Sequence, residues 1–450
     1  MAPVILKFGG TSVRDADALR RLVQIVRNTS GTPVVVVSAL AGVTNALVEV
    51  ADACADGARH AAALDSIVER HLDLASELTA GALQQAAIEH LAAIFQGAAA
   101  LVRRGRPFTA ADRDAVLAAG ELASSRLVSA VLSTAGVDAI WIDARRAVVT
   151  DDRHGAARPH VDGTRAATRR EILPYLARRV PVVGGFVGAT RSAQPTTLGR
   201  GGSDYSAAIL GAALDASRVE IWTDVDGLLS ADPLIVPDAQ TVPRLSGMEA
   251  YDLARFGARV LHAGTLEPVA KPRIPVVVRN ARRPAAGGTE IRHHDGCGVA
   301  GLAHRPAVSF VDLVAHDLGA SNDFLRLVAE CVDHSANHAV TPVAVSPQRA
   351  LVAVDDAKTA REVGRRLRRV ADVVSMERGG LVALVGQGVQ SDASAWRALL
   401  DLHDRDAVRQ VVQSSSGCAL VAVTAPSAAA DVVRELHGRV IGSRRAMEVA

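Results

Sequence analysis

Short runs of β-branched and aliphatic residues recur at 4–6, 34–37, 139–142, 180–183, 219–222 and 274–278. Each is apolar at consecutive positions, which is the pattern of strands buried on both faces. Between them lie longer Ala-, Leu- and Arg-rich stretches, 16–27, 83–103, 120–134 and 203–214, with helical periodicity. Strands and helices alternating in this way predict an α/β layered sheet with ligand loops at the strand ends. Around Gly287-Gly288 and 295–298 the sequence turns glycine-rich and the pattern changes. Two short strand–helix–strand stretches follow, each too small for a large active site. The expected domains are therefore 1–298, 306–380 and 381–450.

Composition narrows the class. At 450 residues the chain exceeds one ordinary core, and about 150 residues per domain gives two or three units. Hydrophobic residues at 49% and charged residues at 22% fit a globular protein. The net charge is +2, with 50 basic and 48 acidic residues spread along the chain. No broad field favours nucleic acid or an anionic membrane, so a small ligand is the expected partner. Cys54, Cys297, Cys331 and Cys418 lie far apart without CxxC or Cys/His spacing, against zinc and against a disulfide framework. The opening Met1-Ala2-Pro3-Val4-Ile5-Leu6 runs into Lys7, too short for a signal peptide, and no apolar stretch of about 20 residues stands out. The expectation is a soluble, cytoplasmic protein.

Three motifs carry chemistry. Lys7-Phe8-Gly9-Gly10-Thr11-Ser12 follows the opening strand and precedes a helix. Paired glycines let backbone approach a phosphate, and the adjacent lysine supplies positive charge; a tight turn is the plainer alternative. The GxxxxGK[ST] spacing is absent, which disfavours the P-loop folds. Lys7, Lys271 and Lys358 are the only lysines, so a lysine beside a glycine pair suggests a need for a compact ammonium. The second motif is Thr197-Leu198-Gly199-Arg200-Gly201-Gly202-Ser203-Asp204 at the start of an Ala-rich helix. It reads as a second anion site in which Arg200 can grip a carboxylate, although Ser203 or Asp204 would also serve as an ordinary N-cap. The third is Thr223-Asp224-Val225-Asp226-Gly227 at a strand end. Its carboxylates suit a ribose, or the organisation of Mg²⁺ and ammonium groups around a transferring phosphoryl; an Asx turn explains Asp226-Gly227 equally well.

Together these blocks resemble the aspartate kinases of the amino-acid-kinase superfamily. The resemblance extends through Gly42-Val43-Thr44-Asn45, Gly120-Glu121, Gly184-Gly185-Phe186-Val187-Gly188, Ala231-Asp232-Pro233 and Phe256-Gly257-Ala258-Arg259, and runs from residue 4 to about 292. It implies a three-layer αβα kinase domain followed by tandem ferredoxin-like (ACT) α+β domains, a homodimer formed through the latter, and a possible amino-acid effector. It further implies ATP-dependent phosphorylation of the β-carboxylate of L-aspartate, the first step toward lysine, threonine and methionine, with Mg²⁺ not ligated directly by the protein. On this resemblance Lys7, Asp204 and Asp224 are catalytic, with Asp204 holding Lys7. Thr44, Glu121, Arg200 and Ser203 hold the amino acid. Lys7, Gly9, Gly10, Ser12, Gly202, Thr223, Asp224, Asp232 and Arg259 face the nucleotide, with Gly9, Gly10 and Gly202 as backbone donors.

Some family positions are altered. Leu229 and Leu234 replace a tyrosine and an arginine, and Arg259 replaces a lysine, so ATP binding is expected to weaken by about 1–3 kcal/mol. In the C-terminal half, Asp323-Phe324-Leu325-Arg326 stands for an effector loop, and Ser346-Pro347-Gln348-Arg349 brings a charge where a ligand would be faced. Two alternatives remain at this level: a kinase of the same fold acting on an aspartate analogue, or a non-catalytic amino-acid sensor.

Overall fold

The computed structural model describes residues 2–55, 61–104, 107–258, 260–292, 298–317, 319, 321–334 and 340–442. The strands are β1 Pro3–Phe8, β2 Thr32–Val37, β3 Ala139–Ile142, β4 Val149–Thr150, β5 Val180–Gly184, β6 Val187–Thr190, β7 Pro195–Thr197, β8 Arg218–Thr223, β9 Arg244–Ser246, β10 Val276–Asn280 and β11 Thr289–Arg292. Six more follow, β12 Gly301–Ala315, β13 Val340–Val345, β14 Arg349–Val354, β15 Ala371–Val385, β16 Val408–Gln413 and β17 Ala419–Thr424. The chain divides into two units, Met1–Asp226 with Gly264–Glu290, and Gly227–Ala263 with Ile291–Ala450.

In the first unit, parallel strands stand in the order β3-β5-β2-β1-β8-β10. Residues alternate between the two faces of a strand. Leu6, Phe8, Val35 and Val37 therefore point into one core, shared with helices Ala16–Arg27, Val43–Ala55, Ala61–Leu78, Gly81–Val102 and Ala110–Thr134. Ile5 and Lys7 point the other way, toward helix Gly202–Ala213. That helix lies so close that a Cβ on Gly211 would come within 2.8 Å of Val219. The result is the expected αβα layering. Phe8 is level with Val37 and Trp222, and Val37 with Gly184, so β1, β2, β5 and β8 end along one edge. From β1 the chain first builds toward β2, β5 and β3, then crosses to β8 and β10. The edge beside β1 is thus a topological switch point, where α/β sheets open a crevice for ligands.

Two expectations about helices change. The helix expected from 120 begins at Ala110, because Thr109 and Asp112 form a reciprocal capping box. Glu121 consequently sits within a continuous helix. Gly81–Val102 and Ala110–Thr134 are also long and apolar enough, by length and composition, to cross a membrane. The second is mostly buried within the unit, as core helices of that hydropathy are, and it carries the buried carboxylates Asp112, Asp114 and Glu121.

The second unit contains an antiparallel sheet ordered β13-β14-β12-β15-β17-β16. The 15-residue strands β12 and β15 pair from end to end and serve two cores. One core holds Val311, Leu313, Phe324, Val352 and Leu367. The other holds Leu302, Val382, Leu384, Leu420 and Leu436, together with Ala231 and Val236. This arrangement differs from the expected limits at two places. Residues 227–263 group with the C-terminal unit because their apolar side chains complete its core. The stretch 301–305 opens the module centred on 381–450, because it pairs with 381–385. Asp323-Phe324-Leu325-Arg326 is the first turn of helix Ser321–His334 rather than a loop, and Phe324 is fully buried. The Arg349 guanidinium faces Asp312 at 2.9 and 2.5 Å, so the charge expected to confront a ligand is already neutralised.

Candidate active site

The β1 edge assembles most of the expected residues. Lys7 is buried on the face that meets helix Gly202–Ala213, and its Nζ lies 2.5 Å from Asp204 Oδ1 in the first turn of that helix. An ammonium taken from water needs such a partner, since an isolated buried charge costs several kcal/mol. A Cβ on Gly9 would lie 3.5 Å from this ammonium.

The loop after β1 is pinned by the carbonyl of Trp222, at the end of β8. That oxygen accepts the Gly9 N–H at 3.1 Å and the Ser12 hydroxyl at 3.2 Å. The Gly202 N–H likewise donates to Gly199 O at 3.0 Å. The Gly9 and Gly202 N–H groups and the Ser12 hydroxyl, expected to face the nucleotide, are engaged within the loops. These groups hold the loops, and the glycines matter for closeness: a Cβ at Gly202 would stand 2.7 Å from Phe186 Cδ2. At Gly10 a Cβ would meet the Ala39 carbonyl at 3.0 Å.

Glu121 lies against the same edge, 2% exposed. Burial pushes its carboxyl up to about 8, against backbone hydrogen bonds at Ala39 and Glu121 and the positive charge of Lys7. Its Oε2 has no hydrogen-bond partner among the described residues. A buried, unsatisfied oxygen of this kind marks a place where a donor is missing. The end of β5 packs tightly here: a Cβ on Gly184 would come within 2.9 Å of the Glu121 carbonyl, and one on Gly185 within 2.7 Å of Ser203 Cβ. Two bare glycines thus bring Glu121 and Ser203 to the same strand end.

Arg200 is exposed between Gly199 and Gly201, both left-handed (φ 77° and 71°), a backbone path that favours glycine. Thr44 is half-buried near the start of helix Val43–Ala55. Thr223 ends β8, its hydroxyl donating to the exposed Asp224 at 3.2 Å. The neighbouring Asp226 accepts Asn280 Nδ2 at 2.7 Å and pairs with Arg283, so it fixes the turn. Asp232 belongs to the second unit, where it accepts the Leu234 N–H. Arg259 lies outside the described residues.

A cation between two glycine-lined loops, beside a buried carboxyl and a strand-end carboxylate, is the equipment of a kinase for small acidic substrates. A profile of the amino acid kinase family matches residues 2–280, and the chain belongs to that family. It is 32% identical over 452 residues to the lysine-sensitive aspartokinase 3 of Escherichia coli, covering 97% of this chain and 99% of that protein. It is 29% identical over 449 residues to the aspartokinase of Chlamydia pneumoniae, covering 97% of each. Among solved structures, E. coli aspartokinase III in complex with aspartate and ADP matches with a TM-score of 0.81 at 30% identity, covering 97% of this chain and 99% of that one. The same enzyme in complex with lysine and aspartate matches with a TM-score of 0.74. Within its family the chain groups with the aspartokinases.

Proposed function

We propose that the protein transfers the γ-phosphoryl group of ATP to the β-carboxylate of L-aspartate, giving 4-phospho-L-aspartate and ADP. The observation that carries this reading is the buried Lys7–Asp204 pair at the shared edge of the glycine loops, with Glu121 Oε2 unsatisfied beside it. A carboxylate oxygen attacks the γ-phosphorus as the bond to the ADP oxygen breaks. The nucleophile is already an anion at neutral pH, so no general base is needed. The obstacle is repulsion between anions, and catalysis consists of positioning and charge stabilisation.

Lys7 supplies the positive charge at the transferring group, held by Asp204. Arg200 grips the α-carboxylate, Ser203 and Thr44 border the same substrate, and the α-ammonium supplies the donor that Glu121 Oε2 lacks. Thr223 and Asp224 serve the nucleotide, together with Gly9, Gly10 and Gly202 through close approach. Among the described residues no cluster of three or more His, Cys, Asp or Glu is placed to hold a metal. Mg²⁺ would enter on the ATP phosphates, where it would offset their charge.

The wider setting is part of the proposal. On the resemblance to the aspartate kinases, the product opens the route to lysine, threonine and methionine. A cytoplasmic location agrees with Cys54, Cys331 and Cys418 all being free. Tandem ACT modules and a homodimer agree with the antiparallel sheet of the second unit. There β15 pairs with β17 only from Gly380 onward, while Val373, Val374 and Met376 are exposed. The lysine complex of the E. coli enzyme supports an amino-acid effector, although the Asp312–Arg349 pair leaves no unpaired charge for it at that strand.

Hydroxamate trapping of the acyl phosphate with aspartate, glutamate or no acceptor tests the reaction. Product that requires both ATP and aspartate is expected; equal product with glutamate, or none, would refute it.

A further inference from the structure

Asp114 is fully buried on helix Ala110–Thr134, seven residues before Glu121. Seven residues are two turns, so the two side chains share a face. The Asp114 carboxylate collects four donors. Oδ1 accepts the Thr197 hydroxyl at 2.6 Å and the Gly155 N–H at 3.0 Å. Oδ2 accepts the Thr197 N–H at 3.1 Å and faces His154 Nδ1 at 2.8 Å. A carboxylate without solvent is tolerated only when its lone pairs are met in this way.

What Asp114 holds is more informative than its own satisfaction. Thr197 ends β7 and leads directly into Leu198-Gly199-Arg200-Gly201-Gly202-Ser203. That loop is anchored at its far end by helix Gly202–Ala213, and its middle runs through two left-handed glycines with little stiffness of their own. Beneath it lies the 154–155 turn, also held by Asp114: a Cβ on Gly199 would be 3.2 Å from the Gly155 carbonyl. One buried carboxylate therefore ties both the root and the floor of the Arg200 loop to the helix that carries Glu121.

We propose that Asp114 is a positioning residue for phosphoryl transfer, fixing the Arg200 loop against the Glu121 helix so that the acceptor amino acid is gripped at both ends. The inference rests on the reading that Arg200 and Glu121 hold that acceptor. Asp114 touches no reacting atom and acts through the aspartate side only.

Steady-state kinetics of the full chain test it with Asp114→Asn, Thr197→Val, Arg200→Ala and the double variant Asp114→Asn/Arg200→Ala. Thr197→Val removes only the hydroxyl donor and should raise the aspartate KM about fivefold, and Asp114→Asn about tenfold or more. The ATP KM should stay within about twofold in both, since a purely structural loss would move the two substrates together. In the Arg200→Ala background, Asp114→Asn should add less than about twofold, because the group it positions is gone. An unchanged aspartate KM in either loop variant, parallel rises for both substrates, or full additivity with Arg200→Ala would overturn the proposal. Should Asp114→Asn fail to fold, Thr197→Val decides alone. If Arg200→Ala itself left the aspartate KM unaltered, the acceptor-site reading beneath the proposal would fall instead.

Discussion

Glu121 should give up a proton when aspartate binds. In the free protein, burial holds its carboxyl at about 8, so at pH 7 roughly 0.9 of the molecules carry the proton there. An α-ammonium arriving at the unsatisfied Oε2 favours the carboxylate and drives the value back toward the ordinary range. Binding at pH 7 should release about 0.9 proton, and at pH 8 about 0.5. Calorimetric titration of aspartate in two buffers of different ionisation enthalpy reads this number directly, and Glu121→Gln should abolish it. The same shift makes stability depend on pH. An unfolded glutamate loses its proton near 4.5 and the native one near 8, so between these values the native state holds the extra proton. Stability then falls as pH rises through that window, with a ceiling of about 5 kcal/mol at about 1.4 kcal/mol per unit. Glu121→Gln lacks the term, so its melting temperature should gain on the parent from pH 5 to pH 8. Release below about 0.2 proton at pH 7, with a melting difference that stays flat across this range, would refute the assignment.

Replacing Lys7 by Met removes the ammonium and strands Asp204; kcat should fall by about 10²- to 10³-fold, and undiminished hydroxamate formation would contradict the role given to Lys7. Gly185→Ala places a methyl 2.7 Å from Ser203 Cβ and must displace the start of helix Gly202–Ala213, so kcat/KM should drop about tenfold or more; wild-type kinetics would show that the helix start tolerates movement. In the second unit, Ser416 donates to Asp252, which is fully buried beside Arg255. Ser416→Ala should destabilise by about 1–2 kcal/mol, visible as a lower urea midpoint, and an unchanged midpoint would count against that network.

The features legible in the sequence were those set by local pattern. Consecutive apolar runs marked the parallel strands, and the helix starting at Ala16 matched its expected limits. The Lys7 and Ser203-Asp204 motifs stood out because glycine beside a charge is locally unusual. Other features depended on partners far away in sequence. Ser12 resembles a phosphate ligand, yet its hydroxyl goes to Trp222, 210 residues on. Asp114 carries no sign of its role in its own stretch of sequence, since its donor Thr197 lies 83 residues away. The strand expected at 274–278 forms at Val276–Asn280, because pairing with β8 sets its register. Residues 227–263 carry no local sign of the unit they join; the core containing Ala231 and Val236 decides it.

The single carbonyl of Trp222 has a mechanical consequence. Because it grips both Gly9 and Ser12, the lysine loop cannot swing without breaking the end of a central strand. The opposing loop turns about Gly199 and Gly201 and is held instead at its root, where Thr197 is bound to Asp114. The enzyme is built like a vice with both jaws bolted, one at 7–12 to a central strand and one at 198–202 through a single buried carboxylate, and altering what it accepts means recutting the second jaw while leaving the anvil at 7–12 alone.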